Sequence, residues 1–221
     1  MGLVTIGQSP RSDVTNDLAK MLPQDIEIFE AGALDDLSLE EIIGKLAPKQ
    51  GETLYVTRLR SGLEVKISKE RIIDLMQKKI ELLDSRGVDI IGILCSGEFP
   101  EFRARVPILY PDKILKGMVS GIKYSGESAV LVPAREQIGY GRDKWAPYLG
   151  DPIVIHISPY TSKPEDFIEV GRELSKRDVR LVIMDCIGYT LEQKKILKQI
   201  VPLARVITSR GALARAIVEL I

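Results

Sequence analysis

The chain has 221 residues, 45% of them hydrophobic, which is enough for one large domain or two small ones with a real core. Lysine plus arginine and aspartate plus glutamate both total 31, and this balance argues against a nucleic-acid or anionic-membrane partner. No apolar stretch approaches the roughly 20 residues that cross a bilayer, and residues 1–11 lack the pattern of a secretory signal peptide. We therefore expect a cytoplasmic protein.

The first half of the chain alternates strands with helices. Residues 2–7 form a short apolar run that ends in glycine, and residues 12–22 have helical spacing behind a capping serine. Residues 25–32 alternate like a strand, and the helix predicted over 38–48 opens with the capping-box pattern S-x-x-E and stops before a proline. Two successive strand–helix units follow from this order.

A hairpin interrupts the alternation. Residues 53–67 contain two strand-like runs around the letters RSG, which predicts a flap or an edge ribbon. The longest amphipathic helix then covers 69–86 and is stopped by Gly87. The strand predicted over 88–95 is apolar on both faces, as expected for a buried strand of a parallel sheet.

The second half of the chain repeats this alternation of strands and helices. Strands are predicted over 127–133, 152–157, 179–186 and 204–208, and helices from about 135, over 164–176 and over 209–221. Alternation of this kind predicts an α/β fold with mostly parallel sheets.

An internal repeat relates the two halves. An offset of 91 residues superposes Cys95 on Cys186 and Gly97 on Gly188, and the apolar positions before each cysteine agree. We therefore predict two pseudo-symmetric α/β lobes, each a mostly parallel sheet flanked by helices. The expected boundaries are 1–110 for the first lobe and 111–208 for the second, with the terminal helix packing back on the first.

The only two cysteines stand at equivalent strand ends of this repeat. Ligands of open α/β sheets bind outside the carboxyl ends of the strands, so Cys95 and Cys186 are predicted to line a site for a small ligand between the lobes. The alternative is that both are buried core residues, as free cysteines often are. Zinc is not expected, because two sulfurs and the single His156 make a poor ligand set.

The residues after each cysteine suggest a chemistry. Free backbone N–H groups around Ser96, Gly97 and Gly188 would lower a thiol pKa below its usual value of about 8.5, and could hold a carboxylate or a developing enolate. Two thiols on opposite faces of one carbon suit a racemase without a cofactor, in which one thiolate removes a proton and the other thiol returns one.

Further polar residues are candidates for substrate binding. Gln8, Ser9 and Arg11 follow the first strand and could bind a carboxylate, or they could form a turn that caps the next helix. Arg135 occupies the analogous place in the second lobe. Tyr189 and Thr190 extend the second cysteine loop as possible donors to a ligand, with a helix cap as the alternative for Thr190.

Several neighbouring residues have open roles. Arg58 and Arg60 on the hairpin are more often solvated than functional, and Glu98 and Asp185 adjoin the two cysteines. His156 lies in an apolar strand and is expected to be packed. The loop after it offers Ser158, Tyr160 and Thr161 as further ligand contacts.

The chain resembles the AroM family, a branch of the aspartate/glutamate/hydantoin racemase superfamily. The matching stretches are LVTIGQSPRSDV, AGALDDLS, ETLYVTRLRSGLEV and LVIMDCIGYT, and the resemblance covers essentially the whole chain. It implies two pseudo-symmetric lobes with a ligand between them, catalysis without metal or organic cofactor, and a homodimer. The amino-acid racemases carry Asn-Thr after the first cysteine and Thr-His or Thr-Glu after the second, where this chain has Ser96-Gly97 and Ile187-Gly188.

We predict from the residues and the resemblance together a cofactor-independent racemase or isomerase that acts on a small carboxylate or cyclic amide through Cys95 and Cys186. A variant uses a single cysteine in a decarboxylase or isomerase. The alternative from another class is a non-catalytic small-molecule binder or regulator on the same scaffold, because a fold does not determine its function.

Overall fold

The computed structural model describes all residues from 1 to 221, and they divide into two compact units. The first unit comprises Met1–Asp112 and Leu213–Ile221, and the second comprises Lys113–Ala212. None of the helices has the length and apolar composition that crossing a bilayer requires.

The first half of the chain contains six strands and four helices. They are β1 (Gly2–Thr5), α1 (Ser12–Ala19), β2 (Phe29–Gly32), α2 (Leu39–Leu46), β3 (Leu54–Arg58), β4 (Glu64–Ser68), α3 (Lys69–Ser85), β5 (Ile91–Leu94), β6 (Ile108–Leu109) and α4 (Pro111–Ser120). Strands β2, β1, β5 and β6 form one parallel sheet in that order, and β3 pairs with β4 as the predicted antiparallel hairpin. All residues of β1 and β5 are buried, as their apolar sequences require.

The second half contains four strands and four helices. They are β7 (Glu127–Val132), α5 (Ile138–Leu149), β8 (Ile153–His156), α6 (Pro164–Ser175), β9 (Val179–Met184), α7 (Leu191–Ile200), β10 (Arg205–Thr208) and α8 (Ser209–Leu220). Strands β10, β9, β7 and β8 form a second parallel sheet in that order.

Two apolar clusters cover the two faces of the second sheet. Successive side chains of β7 and β9 alternate between them because strand residues point to opposite faces in turn. One cluster gathers Leu131 and Met184 with Phe167, and the other gathers Val130 and Ile183 with other buried residues. The Trp145 side chain of α5 lies in the latter cluster and is fully buried.

The two sheets have the same topology, which confirms the fold class predicted from the internal repeat. The order β2-β1-β5-β6 matches β8-β7-β9-β10, so β5 and β9 occupy equivalent central positions. The strand pairing has the same register, since Ile91 pairs with Ile108 and the equivalent Val182 pairs with Val206. Cys95 directly follows β5, and Cys186 lies two residues beyond β9.

Helix ends agree in part with the prediction. The capping box of Ser38 and Glu41 is present, and Gly87 has a φ of 74° immediately after the last turn of α3, where a left-handed conformation suits glycine. The prediction of a serine cap for α1 was wrong, because Arg11 holds the cap position and makes no side-chain cap hydrogen bond.

Two other local predictions need correction. The strand expected over 25–32 begins at Phe29, and the helix expected from about 135 begins as a short 3₁₀ turn over Arg135–Gln137 before α5. His156 is exposed and not packed, because β8 is an edge strand and this residue ends it.

We expect the second sheet to depend on the aromatic residue that α6 inserts into its core. Phe167 is fully buried, so Phe167→Ala should lower the free energy of unfolding by about 3–5 kcal/mol. Urea denaturation followed by circular dichroism measures this loss. Leu203→Ala is the control, since Leu203 is 64% exposed; equal stability losses in the two variants would contradict the assigned core.

Candidate functional site

Each cysteine sulfur accepts a hydrogen bond from the backbone two residues further on. The Gly97 N–H donates to Cys95 Sγ at 3.3 Å, and the Gly188 N–H donates to Cys186 Sγ at 3.4 Å. The cysteines are 8% and 6% exposed. A donor directed at sulfur favours the thiolate over the thiol, so both strand ends provide a setting for a reactive cysteine.

A tyrosine ring covers each of the two glycines. A Cβ built on Gly188 would lie 2.6 Å from Cζ of Tyr160, and a Cβ on Gly97 would overlap the Tyr55 ring. Real Cβ atoms do not approach another atom so closely, so a side chain at either position would displace the tyrosine. The glycine in each cysteine-x-glycine pattern is therefore explained by close packing at the cysteine loop.

The two tyrosine hydroxyls have different partners. The Tyr55 hydroxyl donates to the carbonyl of Glu98 at 2.8 Å, and the Tyr160 hydroxyl lies 3.9 Å from Cys186 Sγ. Sequence reasoning missed Tyr55, because nothing in the hairpin pattern says which side chain lies over the distant Gly97. Tyr160 was one of three possible contacts in its loop.

The residue before Cys186 anchors the second cysteine loop to α5. Both carboxylate oxygens of Asp185 accept hydrogen bonds from Lys144 Nζ, at 2.9 and 2.8 Å, and one also accepts from Trp145 Nε1 at 2.7 Å. All three residues are buried. A buried ion pair with a further hydrogen bond holds its members in place, which fixes the position of the end of β9.

A second buried cation contacts the residues after Cys186. The guanidinium of Arg210, near the start of α8, donates to the carbonyls of Ile187 and Gly188. Sequence analysis did not single out Arg210 or Lys144. Their positions in a helical sequence gave no sign of the loops that they contact.

Tyr189 and Thr190 have structural contacts. The Tyr189 ring is fully buried, meets Phe167 edge-on at a centroid distance of 6.3 Å, and its hydroxyl donates to the carbonyl of Ile157 at 2.7 Å. The Thr190 hydroxyl accepts from the Gln193 N–H at 3.1 Å and forms a capping box for α7. Thr190 thus fills the capping role that the sequence left open.

The loop after β1 is organised by its own polar residues. Both the N–H and the hydroxyl of Ser9 donate to Asp35, at 2.7 Å each. Gln8 donates to two carbonyls of the loop that follows β2, and its Oε1 accepts from the Arg60 N–H at 3.0 Å. Arg60 Nε in turn donates to the Ser9 carbonyl at 2.7 Å. Arg60 therefore ties the hairpin to this loop.

The predicted arginines are placed differently from one another. Arg11 is only 2% exposed and pairs with Asp13 at 2.8 Å while also donating to Thr5 Oγ1 at 3.2 Å. Arg135 is exposed, and the strand register aligns it with Gln8 rather than with Arg11. Arg58 Nε donates to the carbonyl of Gly62 within the hairpin.

No group of three or more histidine, cysteine, aspartate or glutamate side chains could hold a metal ion. The groups that could take part in a reaction are the two cysteine thiols and the hydrogen-bond donors beside them. Ser96, between Cys95 and Gly97, is itself buried at 6% exposure.

Solved structures of low sequence identity share this architecture. Aspartate racemase from Picrophilus torridus is 14% identical with a TM-score of 0.53, covering 100% of this chain and 93% of its own. Maleate isomerase Iso from Pseudomonas putida S16 is 11% identical with a TM-score of 0.62, covering 100% and 92%. Unliganded arylmalonate decarboxylase is 11% identical with a TM-score of 0.57, covering 99% and 90%. The protein thus has the two-lobed α/β fold of aspartate and glutamate racemases.

The sequence also assigns the chain to one particular family within this fold class. The model of the AroM protein family matches residues 1–221, so the chain belongs to the AroM family. No curated protein matches the sequence.

We expect Gly188→Ala to push Tyr160 away from the second cysteine loop. Overpacking of this kind costs about 1–3 kcal/mol, and the cost should shrink in the double variant Gly188→Ala/Tyr160→Ala, because the ring that the methyl group meets has been removed. Thermal and urea unfolding of the single and double variants measure the coupling. Gly139→Ala is the control, since a Cβ there meets no atom within 4 Å; a cost that is additive in the double variant would contradict the packing explanation.

Proposed function

We propose that the protein is a cofactor-independent racemase or isomerase that transfers protons at a carbon next to a carbonyl group through Cys95 and Cys186. The observation that carries this proposal is the matching hydrogen bond at the two repeat-related strand ends, from the glycine N–H to the cysteine sulfur. A pair of core cysteines has no need of two identical polar contacts.

The proposed proton transfers need only the two cysteine thiols as acid and base. The thiolate of one cysteine takes the proton from the substrate carbon, and the electron pair of that C–H bond moves into the adjacent carbonyl to give an enolate. The other thiol then donates its proton to the opposite face of the carbon. The configuration inverts, and the two cysteines have exchanged protonation states, so the reverse reaction can use them in the opposite order.

A small carboxylate or cyclic amide is the substrate class that these sites favour. Backbone N–H groups at strand ends bind anionic oxygens and stabilise charge as it develops. The side chains of Ser9 and Arg11 are engaged with Asp35 and Asp13. The similar structures include an aspartate racemase, a maleate isomerase and an arylmalonate decarboxylase, which supports small carboxylates as the substrate class.

A second candidate uses one cysteine only. The Tyr160 hydroxyl lies beside Cys186 Sγ, whereas the Tyr55 hydroxyl donates to a backbone carbonyl. Unequal surroundings favour unequal roles. In a decarboxylase the C–C bond to a carboxylate would break, carbon dioxide would leave with its two oxygens, and a single thiol would protonate the remaining carbanion.

We expect Cys95→Ser and Cys186→Ser each to lower turnover by about 10²–10⁴-fold, the usual contribution of a positioned acid or base. The substrate screen uses both enantiomers of aspartate and glutamate, maleate, aryl malonates and hydantoins in D₂O, followed by proton NMR and chiral chromatography. The wild type should exchange the substrate hydrogen for deuterium as it racemises.

The two variants separate the candidates. Loss of activity in both supports two-cysteine chemistry, and loss in only one supports the single-cysteine reaction. Full turnover in both variants would remove the thiol mechanism. If the wild type binds a compound of the panel without converting it, the non-catalytic binder becomes the better account.

We expect both thiols to react with iodoacetamide below pH 8 in the folded protein, because the glycine N–H favours each thiolate. Mass spectrometry of the two cysteine peptides gives each rate separately, and a ligand from the same panel should protect both cysteines together. The unfolded protein in urea provides the reference rate. Thiols that stay inert until the chain unfolds would instead be core residues.

A further inference from the structure

We infer that Arg210 is a positioning residue for Cys186, which directs the Gly188 N–H at the sulfur and makes this cysteine the resting thiolate. The catalytic role of Arg210 rests on the proposed function. Its effect on the ionisation of Cys186 can be measured directly in the cysteine loop of the second unit.

The Arg210 side chain binds two consecutive carbonyls of the cysteine loop. Its Nε and Nη2 donate to the Ile187 carbonyl at 3.1 and 2.9 Å, and Nη2 also donates to the Gly188 carbonyl at 2.8 Å. Arg210 is fully buried. The planar guanidinium fork is suited to holding two acceptors in fixed directions, which an ammonium group on a flexible stem does less well.

This contact determines where the donor of Cys186 points. The Ile187 carbonyl and the Gly188 N–H belong to the same planar trans peptide and point in opposite directions. With the carbonyl held by Arg210, the N–H is turned the other way, and it donates to Cys186 Sγ at 3.4 Å. The positive charge on the carbonyl side also polarises the peptide and strengthens its N–H as a donor.

The first repeat has an acidic residue where the second repeat has Arg210. Ile108 pairs with Ile91 as Val206 pairs with Val182, and four residues further along the chain the two repeats carry Asp112 and Arg210. Both are buried. An aspartate side chain has one O–H donor when protonated and none when ionised, so it cannot hold two carbonyls as arginine does.

The two repeats therefore differ in the hydrogen-bond donors available at this position, while both keep the glycine contact to sulfur. Arg210 stabilises the thiolate of Cys186 and not that of Cys95. In the resting enzyme Cys186 is therefore the base that removes the proton from the substrate. Cys95 begins the cycle as the thiol that returns a proton.

The test compares the ionisation of the two cysteines in Arg210→Lys and Arg210→Met. The pH midpoint of each thiol is measured by iodoacetamide labelling with mass spectrometry and by the ¹³Cβ chemical shift of labelled cysteine, which needs no reagent access. In Arg210→Met we expect the Cys186 midpoint to rise by about one pH unit, so that labelling near pH 7 falls about tenfold. Arg210→Lys should shift it less, and the Cys95 midpoint should not move in either variant.

The control is Arg215→Lys, an exposed arginine of the same helix, which should leave both midpoints unchanged. Equal shifts at the two cysteines, or none at Cys186 in either variant, would overturn the inference. If Arg210→Met does not fold by circular dichroism, the comparison of Cys186 with Cys95 in Arg210→Lys decides. A shift at Cys186 in a protein that converts no substrate would leave the Arg210 inference standing while the proposed function fails.

Discussion

The contact between a backbone N–H and the sulfur two residues before it is the constraint around which both cysteine loops are built. It requires a short turn directly after a central strand, and the tyrosine packed on that turn requires glycine at its third position. Gly97 and Gly188 satisfy the same requirement in the two halves. Their neighbours have diverged, while this local geometry has stayed the same.

The parallel sheets explain why the N–H groups of Gly97 and Gly188 are available at the strand ends. Inside a sheet, backbone N–H and C=O groups form hydrogen bonds with neighbouring strands, and the central strands β5 and β9 have a partner on both sides. Where the strands end, the N–H groups need other acceptors. A cysteine sulfur is a weak acceptor as a thiol and a better one as a thiolate, so the end of a central strand is a natural place to hold a reactive cysteine.

Much of the fold could be predicted from the sequence, because it depends on periodic and local signals. The buried run of β5, the hairpin and the capping box at Ser38 each follow from a short stretch of residues. The equivalence of Cys95 and Cys186 followed from the repeat. His156 was misjudged because the sequence does not reveal which strand lies at the edge of a sheet.

The candidate site was only half predictable for a related reason. The cysteines and glycines could be identified from the sequence, because the cysteine-x-glycine spacing occurs at equivalent positions of the repeat. Tyr55, Lys144 and Arg210 reach the loops from distant parts of the chain, and each stands in a segment whose pattern describes only its own secondary structure. A contact between residues 23 positions apart, as between Arg210 and Ile187, depends on tertiary packing.

The divergence of the two loops bears on how a symmetric scaffold can do directional chemistry. Two identical thiols would share a proton equally, and half of the molecules would start in the wrong protonation state for a given substrate enantiomer. In the proposed mechanism, a fixed charge beside one loop would remove this degeneracy. The buried Arg210 would favour one starting protonation state, and the matched glycine contacts would let the second thiol take over once the first has been protonated.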